Sequence, residues 1–204
     1  MTVAAMNTVK FTSLIDCDAE DLDLMTKEYI EITKADALTE RALDMLKSQK
    51  GIYGGGQVCL YEHGLQTATR AFKDGCDEEL VVCALLHDIG EVLCPSNHGE
   101  VPASILRPYV SERSYWILAN HEVFQGFYYF EHMDLDKNAR EVYKSNPHYQ
   151  ATIDFCEKYD APSFDPNYKS MTLEEFRPMV HRIFSRKPFF NDPTNPKAGA
   201  VTGK

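Results

Sequence analysis

Apolar residues recur along most of the chain at the three- and four-residue spacing of an amphipathic helix. Glycine, proline and small polar residues interrupt this pattern where helices are expected to begin and end. The predicted helices cover 18–34, 38–48, 57–73, 77–88, 101–109, 111–130, 138–144, 147–159 and 172–184. We therefore predict one all-α domain over residues 1–186, with a loosely ordered, proline-containing tail over 187–204.

One segment of this pattern is ambiguous. Residues 80–86 are seven apolar residues in succession, which fits a buried strand as well as a buried helix. We favour a helix because the flanking segments are helical and no partner strand is visible. Glu78 and Glu79 also suit the first turn of a helix, where its dipole favours negative charge.

Composition and charge narrow the possible partners. The 204 residues are 44% hydrophobic and 25% charged, as in an ordinary globular domain, and the net charge of −10 disfavours binding to nucleic acid. No apolar run is long enough to span a membrane, no basic leader opens the chain, and the six cysteines lack C-x-x-C spacing. We expect a cytoplasmic protein, a monomer or weak homodimer, that acts on a small molecule.

Candidate chemistry begins with the pair His87-Asp88, which ends the most apolar predicted helix and precedes Ile89-Gly90. An unpaired buried carboxylate costs several kcal/mol, whereas a metal ion would neutralise it and also use the adjacent imidazole. A lone His-Asp dipeptide could equally be accidental. His63, on the preceding helix, and Asp160, after an aromatic-rich helix, favour the metal interpretation.

In this order, His, His-Asp and Asp, the residues resemble the metal ligands of the HD superfamily, over roughly 53–160. The resemblance implies a helical bundle with a buried metal site. Two more histidines lie where dinuclear members carry ligands of a second metal. The resemblance thus implies one ion at His63, His87, Asp88 and Asp160, and a second at His98 and His121, with Asp88 bridging. Imidazole and carboxylate ligands suit iron or manganese.

Most HD proteins are phosphohydrolases, and this is the first functional alternative. Many of them carry a lysine directly after H-D-x-G to hold phosphate, but that position is Glu91 here, and the G-Y-P signature of the cyclic-dinucleotide hydrolases is absent. A second alternative, outside enzymes, is a ligand-sensing HD domain without turnover.

The chain is similar in more detail to the mixed-valent diiron oxygenases of the superfamily, which include myo-inositol oxygenase and the 1-hydroxyalkylphosphonate oxygenases. The similarity lies in the motifs L-Y-E-H-G-L-Q-T-A, V-V-C-A-L-L-H-D-I-G and H-E-V-F-Q-G-F-Y-Y. It implies two iron ions in the mixed-valent Fe(II)/Fe(III) state, O₂ as co-substrate, and cleavage of the C–P bond of a small 1-hydroxyphosphonate. A trimethylammonio-ethyl substrate, giving glycine betaine and phosphate, fits best.

Further residues follow from this resemblance. Tyr53, beside three glycines, is a candidate lid over an open iron position, although it could simply pack against a turn. Gln125 stands where a related oxygenase carries lysine. A quaternary ammonium group could meet aromatic rings, although aromatic residues at helical spacing are more often core. The predicted substrate-binding residues are Glu91, Gln125, Arg140, Lys158, Tyr129 and Tyr159.

Overall fold

The structure, a computed structural model, describes residues 8–188, and within that range it contains eight α-helices and no strand. The predicted all-α class is confirmed. The predicted tail lies mostly outside the described residues. In chain order the helices are α1 (Ala19–Ile32), α2 (Ala35–Ser48), α3 (Leu60–Lys73), α4 (Glu78–Leu86), α5 (Glu100–Leu106), α6 (Glu112–Gln125), α7 (Tyr149–Phe155) and α8 (Leu173–Phe184).

Helix α4 is the centre of the core. The ambiguous run over 80–86 is helical, and all seven of its side chains are buried. Asp77 caps the helix by accepting a hydrogen bond from the Leu80 amide at 2.8 Å. Helices α3, α6 and α8 surround α4 and supply the other walls of the core. Because α4 has no polar face, every residue at its C-terminal end is delivered to the interior.

Helices α3 and α4 form the closest of these pairs. At Gly64 a Cβ atom would lie 2.8 Å from the Leu85 carbonyl oxygen, which is too close for any other residue. The glycine therefore allows the two backbones to approach at the level of His63 and His87.

Three predicted helices differ from the observed chain. The helix predicted over 111–130 is α-helical only to Gln125, and two short 3₁₀ turns follow it, Gly126–Tyr128 and Phe130–Met133. The segment predicted as a helix over 138–144 forms a 3₁₀ turn, Ala139–Tyr143. The helix predicted over 147–159 is α-helical only to Phe155. It then widens into a π-helical turn, Cys156–Asp160. Such a turn takes up an extra residue, so the faces of its side chains do not follow α-helical periodicity.

Helix α1 lies at the edge of the fold and packs mainly on α2. A reciprocal capping box between Asp18 and Asp21 fixes its first turn. No helix in the described part of the chain combines the length and apolar character needed to cross a membrane.

Candidate metal centre

Three elements bring four side chains to one point in the core. His63 comes from the buried face of α3, His87 and Asp88 follow the last residue of α4, and Asp160 ends the π-helical turn. The three buried members of this set, His63, His87 and Asp160, are at most 1% exposed. The sequence folds this way because α4 is apolar on every side and α3 packs directly against it at Gly64.

The distances between these groups match a metal site. His63 Nε2 lies 3.1 Å from His87 Nε2 and 3.3 Å and 3.2 Å from the Asp88 Oδ2 and Asp160 Oδ1 atoms. His87 Nε2 lies 3.2 Å and 3.5 Å from the same two oxygens. Ligands held about 2.1 Å from one ion are separated by about 3.0 to 3.4 Å in octahedral and tetrahedral geometry. We call these four residues the inner cluster.

A second cluster shares Asp88. Its other carboxylate oxygen, Oδ1, lies 3.2 Å from His98 Nε2 and 3.1 Å from His121 Nε2, and the two imidazole nitrogens are 3.2 Å apart. We call Asp88, His98 and His121 the outer cluster. One oxygen of Asp88 faces each cluster, which is the arrangement of a carboxylate that bridges two ions about 3.5 to 4 Å apart.

The loop that carries His98 folds tightly against the end of α4. A Cβ atom on Gly90 would lie 2.4 Å from the His98 carbonyl oxygen, so glycine is required at this contact. His121 reaches the cluster from the buried side of α6. His98 thus comes from a loop and His121 from a helix, whereas the residues of the inner cluster stand on helical segments or directly after one.

The imidazole rings are oriented by partners on their other nitrogen. The Nδ1 atoms of His63, His87 and His121 lie 3.0, 2.9 and 2.8 Å from the carbonyl oxygens of Ser163, Ala84 and Leu118. Each Nδ1–H therefore donates to a carbonyl, which leaves a lone pair on Nε2 facing the cluster. This is the usual support of metal-binding histidines.

His98 has a different support. Its Nδ1 lies 2.6 Å from Glu122 Oε1 and 2.8 Å from Glu91 Oε2, so two carboxylates face one N–H. A carboxylate partner makes the imidazole a stronger electron donor than a carbonyl partner does.

The donor set fits a metal ion. Four imidazole lone pairs and two carboxylates converge, and Asp160 Oδ2 is buried with no hydrogen-bond partner among the described residues. Such a group of acceptors is costly in the interior unless a cation compensates it. Which of these residues bind metal stays a prediction, but the structure brings all six predicted ligands together.

The pKa values show what a metal would replace. Burial lowers the pKa of His63, but hydrogen bonds with Asp160 and Asp88 outweigh it and raise that pKa to about 9. Burial likewise opposes protonation of His98, whereas Asp88 and Glu91 raise its pKa to about 10. Burial raises the pKa of Asp160, but His87 and His63 hold it well below its usual range. Without metal the cluster holds protons, so metal binding releases them and strengthens as the pH rises.

Three of the predicted substrate-binding residues, Gln125, Glu91 and Tyr129, lie close to the two metal clusters. Gln125 Nε2 donates to Asp160 Oδ1 at 2.9 Å, and Glu91 contacts His98. Tyr129 is partly exposed, and its pKa is raised by burial and by the nearby charges of Glu122 and Glu91. Glu91 and Tyr129 form the rim of the outer cluster, whereas Gln125 contacts the inner cluster.

Other predicted residues are not brought to the centre. Tyr53 is 53% exposed and lines surface pockets that include no predicted ligand. Lys158 and Tyr159 line another pocket, away from the ligands, and the Tyr159 hydroxyl donates to Asp74 Oδ2 at 2.6 Å. The π-helical turn contains all three residues: Asp160 is buried at the ligands, Lys158 is exposed, and Tyr159 is buried with its hydroxyl at Asp74 instead of at the ligands.

Sequence reasoning missed several supporting residues. They include Glu122, the Ser163 carbonyl, and Phe164, whose ring stacks on His63 with centroids 4.3 Å apart. Gln49 donates to the Asp88 carbonyl oxygen at 2.6 Å. None of these contacts has a local signal, because each partner is distant in sequence or contributes only its backbone.

Comparison with known proteins agrees with this geometry. No curated protein matches the chain significantly. The model of the family described as HD domain matches residues 60–161, half of the 204 residues, and that span contains all six predicted ligands. This span also contains α3 and α4, the two helices that bring His63 and His87-Asp88 together. The chain therefore belongs to the HD domain family.

Proposed function

We propose that this HD protein is an O₂-dependent diiron oxygenase that cleaves the C–P bond of a small 1-hydroxyphosphonate. The inner cluster and the outer cluster would each hold one iron, with Asp88 between them. When bound, the two irons supply one-electron redox chemistry and O₂ activation. The observation that carries the proposal is the bridging position of Asp88, combined with the two carboxylates at His98.

The carboxylates at His98 support a redox role for the outer ion. Glu91 and Glu122 both face its N–H, which increases the electron density that His98 donates. A stronger donor stabilises the higher oxidation state of iron. In a hydrolase, whose ions do not change oxidation state, the same arrangement would serve only to raise metal affinity.

The same carboxylates bear on the substrate. They give the rim of the outer cluster a negative charge, which disfavours a polyanion such as a nucleotide and favours a ligand that carries a cationic group. A trimethylammonio group beside Tyr129, Glu91 and Glu122 would fit. The face of Phe127, another aromatic residue of this region, is already covered, since the Arg140 guanidinium lies 3.7 Å from its centroid.

Arg140 supports an anionic group at the other end of the substrate. It is 9% exposed, its Nε and Nη1 atoms lack hydrogen-bond partners, and its side-chain hydrogen bonds go to tyrosines, Tyr128 and Tyr149, instead of to a carboxylate. Burial and Asp160 raise the pKa of Cys156 while Arg140 lowers it, so the guanidinium acts on the turn that carries Asp160. A buried unpaired cation is costly, and a phosphonate would compensate it.

The second candidate is a metal-dependent phosphohydrolase acting on a small phosphate ester. The bridged pair of clusters favours it too, since two ions can stabilise both oxygens of a displacement at phosphorus. Arg140 would then bind the ester's phosphate. The two candidates differ in their need for O₂ and for iron.

The test measures metal content, electron paramagnetic resonance and turnover of the purified protein. We expect two irons per chain, a coupled Fe(II)/Fe(III) signal in partly oxidised protein that changes on addition of 1-hydroxy-2-(trimethylammonio)ethylphosphonate, and phosphate release that requires O₂. The matched control is the analogue without the 1-hydroxyl group. Release of phosphate from an ester without O₂, by protein with two redox-silent ions, would contradict the oxygenase and support the hydrolase.

A further inference from the structure

The pocket lined by Lys158 and Tyr159 lies outside the metal centre, next to the segment that carries Asp160. Its volume is about 340 Å³, and we call it the basic pocket. It is bounded by the C-terminal end of α3, the π-helical turn and the loop that follows. Its lining residues are Arg70, Lys73, Asp74, Lys158, Tyr159 and Tyr168.

The charge of the basic pocket is opposite to that of the chain. Three cations and one carboxylate line it, whereas the whole protein has a net charge of −10. The carboxylate, Asp74, accepts the Tyr159 hydroxyl at 2.6 Å. Among the described residues neither Arg70 nor Lys73 forms an ion pair, and Lys158 lies 3.6 Å from Asp154, which is outside the lining. The pocket therefore has an excess of positive charge.

Arg70 is held in place for binding. Its guanidinium stacks on Tyr168, 4.1 Å from the ring centroid, and its Nη2 donates to the Pro162 carbonyl at 2.8 Å. Its Nε atom is buried without a partner. Lys73 Nζ lies over the same ring at 4.8 Å. An arginine fixed by stacking loses little conformational freedom when it binds an oxyanion.

We propose that the basic pocket is an anion site, separate from the metal centre, that binds a phosphate group. Arg70, Lys73 and Lys158 supply the charge, and the rings of Tyr159 and Tyr168 leave room for a small organic substituent. The phosphate can be free or part of a phosphorylated metabolite. This inference does not depend on which reaction the metal centre catalyses.

The basic pocket shares its walls with the supports of the inner cluster. Lys158 and Tyr159 directly precede Asp160, and Pro162, which Arg70 contacts, directly precedes Ser163, whose carbonyl accepts from His63. An anion bound here contacts the two chain segments that position Asp160 and His63. Binding should therefore restrict the segment 158–163.

The test is calorimetric titration of the metal-loaded protein with inorganic phosphate. The variant is Lys73→Gln/Lys158→Gln, which removes two exposed charges and, at Lys73, the cation–π contact with Tyr168. The matched control, the α1 control, is Lys27→Gln/Lys34→Gln, which removes the same charge from α1 and from the turn that follows it. We expect one binding event to weaken at least about tenfold in the pocket variant and to stay unchanged in the control.

Titration with glycerol 3-phosphate distinguishes the two sources of phosphate. Tighter binding than that of inorganic phosphate identifies an organic phosphate as the ligand, and equal or weaker binding identifies the free ion. Three results would overturn the proposal: no phosphate binding, binding unchanged in the pocket variant, or equal weakening in the α1 control. Each of these is independent of O₂ uptake and iron content, so the two proposals fail separately.

Discussion

The inner and outer clusters share Asp88 but differ in burial and in the elements that build them. His63, His87 and Asp160 are buried and stand on or directly after helical segments, whereas His98 is 13% exposed and belongs to a loop. The inner histidines donate to buried backbone carbonyls, of Ser163 and Ala84, and His98 donates to two carboxylate side chains. If each cluster holds an ion, the difference predicts that the inner ion exchanges slowly and that the outer ion is accessible to ligands.

Replacing Asp88 removes the carboxylate that the two clusters share and should have the largest effect on metal binding and activity. In Asp88→Asn the charge between the ions is lost, so we expect both ions to bind weakly and activity to fall by about 10³-fold or more. Elemental analysis and turnover measure this, and circular dichroism checks that the helices remain. Two tightly bound ions in the variant would contradict the bridging role.

Replacing His98 should separate the clusters. In His98→Ala we expect one ion per chain to remain, held by the inner cluster, with little change in helix content because His98 lies in a partly exposed loop. Elemental analysis after dialysis against a chelator gives the number. The control is His132→Ala, which changes an exposed histidine outside both clusters. If both ions are lost together, the inner cluster does not bind metal independently.

A milder change tests the support of the outer ion. In Glu122→Gln one of the two carboxylates at His98 becomes neutral, and the affinity for the outer ion should fall by about 10- to 100-fold. Competition with a chromophoric chelator measures each affinity. Glu131→Gln, which removes an exposed carboxylate paired with Lys137, is the control. Equal weakening of both ions in Glu122→Gln would argue against a role specific to the outer cluster.

The smallest effect on the metal sites is expected from replacing Glu79, which lies outside both clusters and contributes to the stability of the fold. Glu79 on α4 accepts hydrogen bonds from the Ser111 amide at 2.8 Å and the Ser114 hydroxyl at 2.7 Å, and it pairs with Arg186. Burial raises the pKa of Glu79, but these partners outweigh it and lower that pKa to about 2. Its stabilisation is thus present above the unfolded pKa of about 4.3 and is lost as the pH falls towards 2.

For Glu79→Gln we therefore expect a loss of roughly 1–2 kcal/mol of unfolding free energy near pH 7, with both ions retained. The difference from the unmodified protein should shrink as the pH falls from about 5 to 2. Urea unfolding at several pH values measures it. A difference that is independent of pH would show that packing, and not the charge of Glu79, is responsible.

The part of this site that could be predicted from sequence is the part with local signals. His87-Asp88 follows an apolar run that cannot face solvent, and His63 lies on the helix before it, so their convergence follows from helix packing. Glu122 had no such signal, because it meets His98 only through the fold of the intervening loop. Lys158 is a substrate candidate only by its position two residues before Asp160, and Tyr159 only as an available aromatic ring, and neither criterion fixes where a side chain points within a π-helical turn.

The position of Asp160 also has a consequence for chain topology. An ion held jointly by His63 and Asp160 ties together two points that enclose nearly all of the matched family span. It acts as a reversible crosslink, and it stabilises the folded state by an amount that grows with the logarithm of the free metal concentration. The supply of the metal in the cell would then set how long this chain survives unfolding and proteolysis, in addition to how fast it turns over.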